Sequence, residues 1–471
     1  MAKDTAIVHA LVHKRGFHMR SKFILFLLTL AVASGEPVRG QSQPAALVED
    51  GAPLLTLEDA VSLALGNNRQ AKNSALELQK FDFRMNTARS KRLPQFQVAV
   101  LGGELLHSFD FTFDPGAFGT YPNVGPIPGR TTKIRNPARF TTYATGSIDQ
   151  PLTQQYKIGL GIRETEIGRQ IAREDVRAER EKVAAEVRTA YYELVATQAG
   201  VEAAGQVVTT LEEAQRVTTR YVSEKTVLRG DALEVDARLA KAKYELVTAQ
   251  NAIATQRERL NQLLGRDIAT PFRVEPMPED DATDLTLAAA RESAIKNRPE
   301  VRQALLKEKQ AEYDRRLAKA EYIPDLSLSV RYQGLDNIRV LAANVASAGF
   351  YLSWEPFDWG RRRNTVAEKA KAVEQARNGA QETETQIAVE VGGKYRKWQE
   401  TALLLKAARI QHEAAGEQFR VATNHYREQA ALVRDVLQAQ AQSTETEFQY
   451  QQALSSYWSA LADLRRAIGD E

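Results

Sequence analysis

Few side chains in this sequence are spaced for covalent chemistry. His412 opens "HEAAGE" but lacks the second histidine of a zinc-protease helix, and the six histidines of the 471-residue chain are scattered. No Walker-type lysine loop, nucleophile elbow or dinucleotide glycine pattern occurs, so an enzyme has no motif to stand on. What the chain does offer is charge beside turns. "RGDALEVD" places Asp231 and Glu234 at i, i+3 on one helical face, after Arg229; "VRDVLQ" places Asp435 after Arg434, with Gln438 one turn on. An Asp beside a turn is ordinarily a helix N-cap. Carboxylates gathered close together select cations and respond to pH. A triple arginine, Arg361–Arg363, stands in "WEPFDWGRRRNTVAEKAKA". It reads as a solvated, capped first helical turn or as a grip on anionic lipid headgroups.

Composition narrows the partners. Residues 19–35, "MRSKFILFLLTLAVASG", have the basic start, short apolar core and A-x-A site of a secretory signal, with residues 1–18 as an extension before it. The expected mature chain starts at 34. Losing residues 1–33 removes five basic and one acidic side chain and turns the formal charge from +3 to −1. That balance gives no reason to expect nucleic acid. With no cysteine there is no disulfide, thiolate metal site or lipid-anchored Cys. No later apolar run has transmembrane-helix length, so a membrane crossing requires a closed β-barrel.

The elements that must position these groups are written twice. "LTLEDAVSLALGNN" from Leu55 and "LTLAAARESAIKNR" from Leu285 align with a shift of 230, matching at Ala60/Ala290, Ala64/Ala294, Asn67/Asn297, Ala88/Ala318 and Val100/Val330. With a shift of 204, Val183, Val187, Tyr191 and Leu194 answer Ile387, Val391, Tyr395 and Trp398, a buried helical stripe in both units. Gly265 closes the first unit as Gly469 closes the second. The expected organisation is a linker 34–54, repeat one 55–266, a linker 267–284, and repeat two 285–471. Strands are expected at about 95–113, 139–151, 324–335 and 345–356. "DLSLSVRYQ" and "ASAGFYLSWE" alternate with period two. Long helices are expected at about 157–221, 231–265, 361–426 and 435–468, the longer two on the order of 90–100 Å. Four two-faced strands cannot close a barrel alone, but strands from several chains can, leaving no open edge. Asp114–Pro137, rich in Pro and Gly, reads as an extracellular loop.

A twofold repeat of helix, β-hairpin and long helical hairpin resembles the TolC-like outer-membrane efflux proteins. "WEPFDWGRRRNTVAEKAKA" is similar to the family's strand-to-helix junction, "QPL" at Gln150–Leu152 to its first-unit counterpart, and "GDALEVDARL" and "VRDVLQAQAQ" to its turns between long helices. The resemblance implies an α+β membrane protein: a homotrimeric, twelve-stranded outer-membrane barrel, four strands per chain, continuous with an α-helical tunnel through the periplasm. It implies a passive exit duct for efflux or type I secretion, working with a periplasmic adaptor and an inner-membrane transporter, with outer-membrane lipid around it and no cofactor or metal. It makes Gln150, Pro151, Trp354, Pro356, Phe357, Trp359 and Gly360 the barrel–tunnel junction. Asp435 becomes the aperture aspartate, supported by Asp231, Glu234 and Arg434, with Gln438 where the family has its second acid. Ser223, Glu224 and Lys225, with Glu428, Gln429 and Ala430, become the tips that meet the adaptor, although the family's glycine after the tip tyrosine is missing. The competing reading is a periplasmic or surface coiled-coil spacer without a channel.

Overall fold

The structure is a computed structural model and describes residues 52–224, 228–278, 285–338, 340–428 and 433–470. The signal segment and residues 34–51 lie outside them. In chain order come β1 (Leu54–Leu55), α1 (Leu57–Asn67), α2 (Arg69–Ser90), β2 (Gln95–Glu104), β3 (Phe109–Phe113), β4 (Thr120–Tyr121), β5 (Gly125–Pro126), β6 (Thr132–Asn136), β7 (Phe140–Pro151), α3 (Gln154–Ser223) and α4 (Arg229–Leu263). The second unit follows as β8 (Arg273–Val274), α5 (Leu287–Asn297), α6 (Pro299–Ala320), β9 (Asp325–Leu335), β10 (Asn344–Ser353), α7 (Arg361–Arg427) and α8 (Val433–Ile468). Helices α3 and α7 have 70 and 67 residues, about 100 Å each at 1.5 Å per residue. No helix among the described residues is long and apolar enough to cross a membrane.

Each unit opens with the same device. Thr56 and Thr286 cap α1 and α5, their hydroxyls accepting from the Asp59 and Ala289 N–H groups. Ala60, Ala64, Ala290 and Ala294 are fully buried against the long helices, where a larger side chain would hold the helices apart. The stripe predicted on α3 is buried at Val183, Val187, Tyr191 and Leu194. On α7, Ile387 and Val391 are buried, while Tyr395 and Trp398 are partly buried at the margin of the core. The tyrosines keep one role in both units: Tyr191 Oη donates to Leu55 O at 2.9 Å and Tyr395 Oη to Leu285 O at 3.0 Å. Trp458 Nε1 donates to Pro278 O at 3.0 Å, fastening the linker to α8.

The unit ends also match. Gly265 (φ +69°) and Gly469 (φ +70°) both take the left-handed conformation. Arg266 N–H reaches back to Asn261 O, and Asp470 N–H to Arg465 O, the long bond of a Schellman turn in each case. Where the repeats diverge, chemistry changes. Asn68 caps α2 and donates Nδ2 to Leu263 O at 2.8 Å, tying the α1–α2 turn to the end of α4. Its repeat partner is Arg298, whose side chain is 6% exposed and bridges Glu300 and Glu390, each at 2.6 Å. Burial works against charge here, yet the two carboxylates hold the Arg298 guanidinium protonated beyond its ordinary value.

The strand region departs from expectation in three places. The single strand expected over 95–113 is two, β2 and β3, interrupted at 105–108. The stretch Asp114–Pro137 is no irregular loop: β3 pairs with β6, and β4 with β5 beyond them. Ile134 alone marks β6 as apolar, too little for a period-two signal. The strand expected to reach 356 ends at Ser353. Strands β10-β9-β7-β2 form one antiparallel sheet in that order.

Candidate functional site

The register of this sheet sorts its side chains. Phe96 pairs with Ile148, Ile148 with Val330, and Val330 with Ala348. Two residues to one side of this row Leu328 meets Phe350, and two to the other side Val98 meets Gly146. Because side chains alternate across a strand, these residues share one face, and it is apolar. The opposite face carries Gln97, Ser147 and Arg331 in one row and Gln95, Asp149 and Ser329 in the next. Arg331 donates to Ser329 Oγ at 3.2 Å and lies 5.3 Å from the Tyr351 ring centre. Phe96, Val98, Val100, Phe350 and Leu352 are all exposed on the single chain. The outer two strands, β2 and β10, each have one edge unpaired among the described residues. The sheet thus has an apolar face, a polar face and, among the described residues, two open edges.

Below the sheet the chain turns into the long helices through two junctions. In the first unit, Gln150 Nε2 and Gln155 Nε2 both donate to Arg92 O, at 3.0 and 2.8 Å. Pro151 is buried, and Thr153 Oγ1 donates to Pro324 O at 2.7 Å while accepting from Leu326 N. In the second unit, the chain leaves β10 at Trp354 and Pro356, and Trp359 and Gly360 both adopt positive φ (54° and 86°). Asp358 then caps α7: its carboxylate accepts from Gly360 N and Arg362 N, each at 3.0 Å. Arg361 and Arg362 both bind Glu355, Arg362 also donating to the Glu355 carbonyl at 2.7 Å. Arg362 is 10% exposed; Arg363 is exposed. Two of the three arginines therefore brace the turn, and the capped-turn reading describes them. Phe357 and Trp359 are 82% and 96% exposed. Rings left bare at the end of an apolar wall suit a membrane interface.

The Arg362 and Gly360 N–H groups hold the Asp358 carboxyl below its ordinary value. Its contribution is therefore full above the unfolded Asp range and is lost as pH falls through the lowered folded value. Hydrogen-exchange protection of the Gly360 and Arg362 amides, relative to their intrinsic rates, is expected to fall over that acid window and to be low at all pH values in Asp358→Ala.

At the far helix ends, Asp435 and Arg434 stand exposed in the first turn of α8, with Gln438 exposed one turn on. Asp231 lies in the first turn of α4. Glu234 is engaged by Arg238 at 2.6 Å within its own helix, an i, i+4 pair. Ser223 Oγ donates to Arg220 O at 2.6 Å, Arg220 lies 3.8 Å from Glu224, and Glu428 is exposed. Lys225, Gln429 and Ala430 lie outside the described residues. Sequence reasoning missed the Arg298 bridge, although an arginine answering Asn68 inside a matching repeat was a visible anomaly. It also missed Arg139, whose Nε donates to Asn337 Oδ1 at 2.5 Å. Asn337 Nδ2 donates in turn to Pro137 O and Thr141 Oγ1, which latches the base of the β3–β6 hairpin to the β9–β10 turn. Among the described residues, no cluster of three or more His, Asp or Glu is placed to hold a metal.

Comparison with known proteins agrees with this geometry. The family model for outer membrane efflux proteins matches residues 290–470. A membrane protein from Pseudomonas aeruginosa superposes with a TM-score of 0.70 at 18% identity, covering 91% of this chain and 95% of that one. The CmeC outer membrane channel of Campylobacter jejuni gives 0.71 at 17%, covering 88% and 85%. The outer membrane protein VceC of Vibrio cholerae gives 0.66 at 16%, covering 88% and 96%. No curated protein matches the sequence. The fold is thus the one seen in the CmeC and VceC structures. More particularly, residues 290–470 match the model of the outer membrane efflux protein family, which the junction and turn motifs resemble.

Proposed function

We propose that this chain is the passive exit duct of a tripartite efflux or type I secretion assembly. Three copies close their four-stranded sheets edge to edge, β2 of one against β10 of the next, into a twelve-stranded barrel. The apolar face meets lipid and the Gln97/Ser147/Arg331 face lines the lumen. Helices α3, α4, α7 and α8 continue as the tunnel wall. The observation that carries this reading is the sheet itself, apolar on one side, polar on the other and unpaired at both edges. A periplasmic spacer has no use for such a wall. The duct performs no chemistry; an inner-membrane transporter supplies energy and chooses cargo, and an adaptor docks at the tips around Ser223–Glu224 and Glu428. The mass of the detergent-extracted assembly tests the closure: three chains support it, and a stable monomer refutes it.

At the periplasmic end Asp435 forms a ring of three carboxylates that narrows the aperture and favours cations. Asp435→Asn is expected to weaken cation preference and raise the open conductance in bilayer recordings. Unchanged selectivity and conductance would leave Asp435 as a helix cap alone.

A further inference from the structure

The β3–β6 hairpin carries an apolar side that a loop in water does not need. Phe109, Phe111 and Phe113 share one side of β3, their ring centres 5.4 and 6.3 Å apart in sequence, and Phe118 closes on Phe113 at 4.9 Å. Ile134 stands opposite Phe111. The other side pairs Asp110 with Arg135 and Thr112 with Lys133, and Arg135 Nη2 donates to Ser108 Oγ at 3.2 Å. Leu106, Phe109, Phe118, Tyr121, Val124 and Ile127 are all exposed. A contiguous apolar surface on a polar-backed hairpin marks contact with something other than water.

Register indicates which way that surface points. Between the pairs Glu104–Phe140 and Phe109–Asn136, the chain advances five residues on one strand and four on the other. Leu105 N donates to Arg139 O just beyond the first of these pairs, before the strands bend at 106–107 and 138–139. One extra residue is a bulge, and it slips the alternation of side chains on that strand by one. Even-numbered Phe96, Val98 and Val100 hold the apolar face of β2; after the slip, odd-numbered Phe109, Phe111 and Phe113 take it over. On the partner strand, across its bend at 138–139, Ile148, Phe140 and Ile134 keep one parity. The aromatic side of the hairpin therefore continues the lipid face of the wall, and its charged side continues the lumen face. Ten residues of β2, tilted as barrel strands are, already span the ~25 Å apolar band. The hairpin begins where aromatic rings are favoured, at the headgroup level.

We propose that the β3–β6 hairpin lies against the outer leaflet, its Phe109–Phe118 rings seated at the headgroup–acyl boundary and its Asp110, Lys133 and Arg135 side turned to water. This rests on the barrel reading above, and the test separates the two. The sequence has no cysteine, so single cysteines at Val98, Phe109, Phe118 and Lys133 can each carry an environment-sensitive fluorophore. The full-length assembly is reconstituted in vesicles containing doxyl-labelled phospholipid and exposed to aqueous iodide. The expected result is loss of most emission to the lipid quencher at Val98, Phe109 and Phe118, and to iodide at Lys133. Lipid quenching at Val98 with iodide quenching at Phe109 and Phe118 would overturn the hairpin proposal alone. So would shielding of Phe118 from both quenchers, which would mean that the hairpins pack together over the mouth. Absence of lipid quenching at Val98 would overturn the wall and the hairpin with it.

Discussion

Val98→Arg is expected to abolish assembly in the membrane, while Gln97→Arg one residue earlier leaves it intact. Both residues are exposed in the single chain, and both belong to β2. They differ in the face the register assigns them: Val98 is opposite Gly146 on the apolar side, and Gln97 opposite Ser147 on the polar side. An arginine on the lipid face of a barrel costs about 2–4 kcal/mol near the bilayer midplane. Val98 is the fourth of ten strand residues, well inside that band. A threefold assembly meets the cost three times, on the order of 6–12 kcal/mol, comparable with the whole stability of a typical domain. Gln97→Arg adds a cation to a watered lumen and changes ion preference instead. The yield of outer-membrane trimer in the two variants measures this. Equal loss in both would mean that the faces are misassigned.

Gly265→Ala has the next largest expected effect, and Gly469→Ala supplies its control. The two glycines share one backbone conformation, φ +69° and +70°, so the left-handed penalty of an L-residue, about 1–2 kcal/mol, is common to both. Their surroundings differ. A Cβ on Gly265 would stand 2.4 Å from Asn67 O and 2.6 Å from its carbonyl carbon, both backbone atoms. On Gly469 the nearest atom is the Asn297 Cβ at 3.0 Å. Relief at 265 requires the α1–α2 turn to back away, which breaks the Asn68–Leu263 bond that ties it to α4. We expect Gly265→Ala to lose about 3 kcal/mol or more, and Gly469→Ala about half as much. Thermal unfolding of the detergent-purified protein, followed by helical circular dichroism, ranks them. Equal losses would show that backbone conformation alone matters and that the clearance at Asn67 does not.

Much of this architecture was legible because the chain repeats itself. Gly265 and Gly469 could be matched by position before any coordinate was known, and both end a helix in the same turn. The stripe from Val183 to Leu194 followed from helical spacing, and the ends of α3, α4, α7 and α8 fall within a few residues of where that periodicity stops. The passage from strand to helix was legible from Pro356 and Gly360, which restrict the backbone, whereas the cap at Asp358 was not. The hairpin of β3 and β6 was not, because one of its strands offers only Ile134 to an apolar pattern and the turn residues around it look like loop. Nor was the fate of the triple arginine decided, since its partners Glu355 and Asp358 had to be brought round by the turn itself. Glu234 illustrates the converse: its spacing suited a gate, but Arg238 four residues on was an equally visible partner and holds it.

The central claim is that this chain forms a pore through a bilayer. The measurement that tests it most directly is single-channel recording from purified residues 34–471 in a planar membrane. Discrete conductance steps with cation preference, arising from trimers, are the expected result. Well-folded helical protein that binds or ignores the bilayer without conducting would contradict it and leave the coiled-coil spacer as the better description.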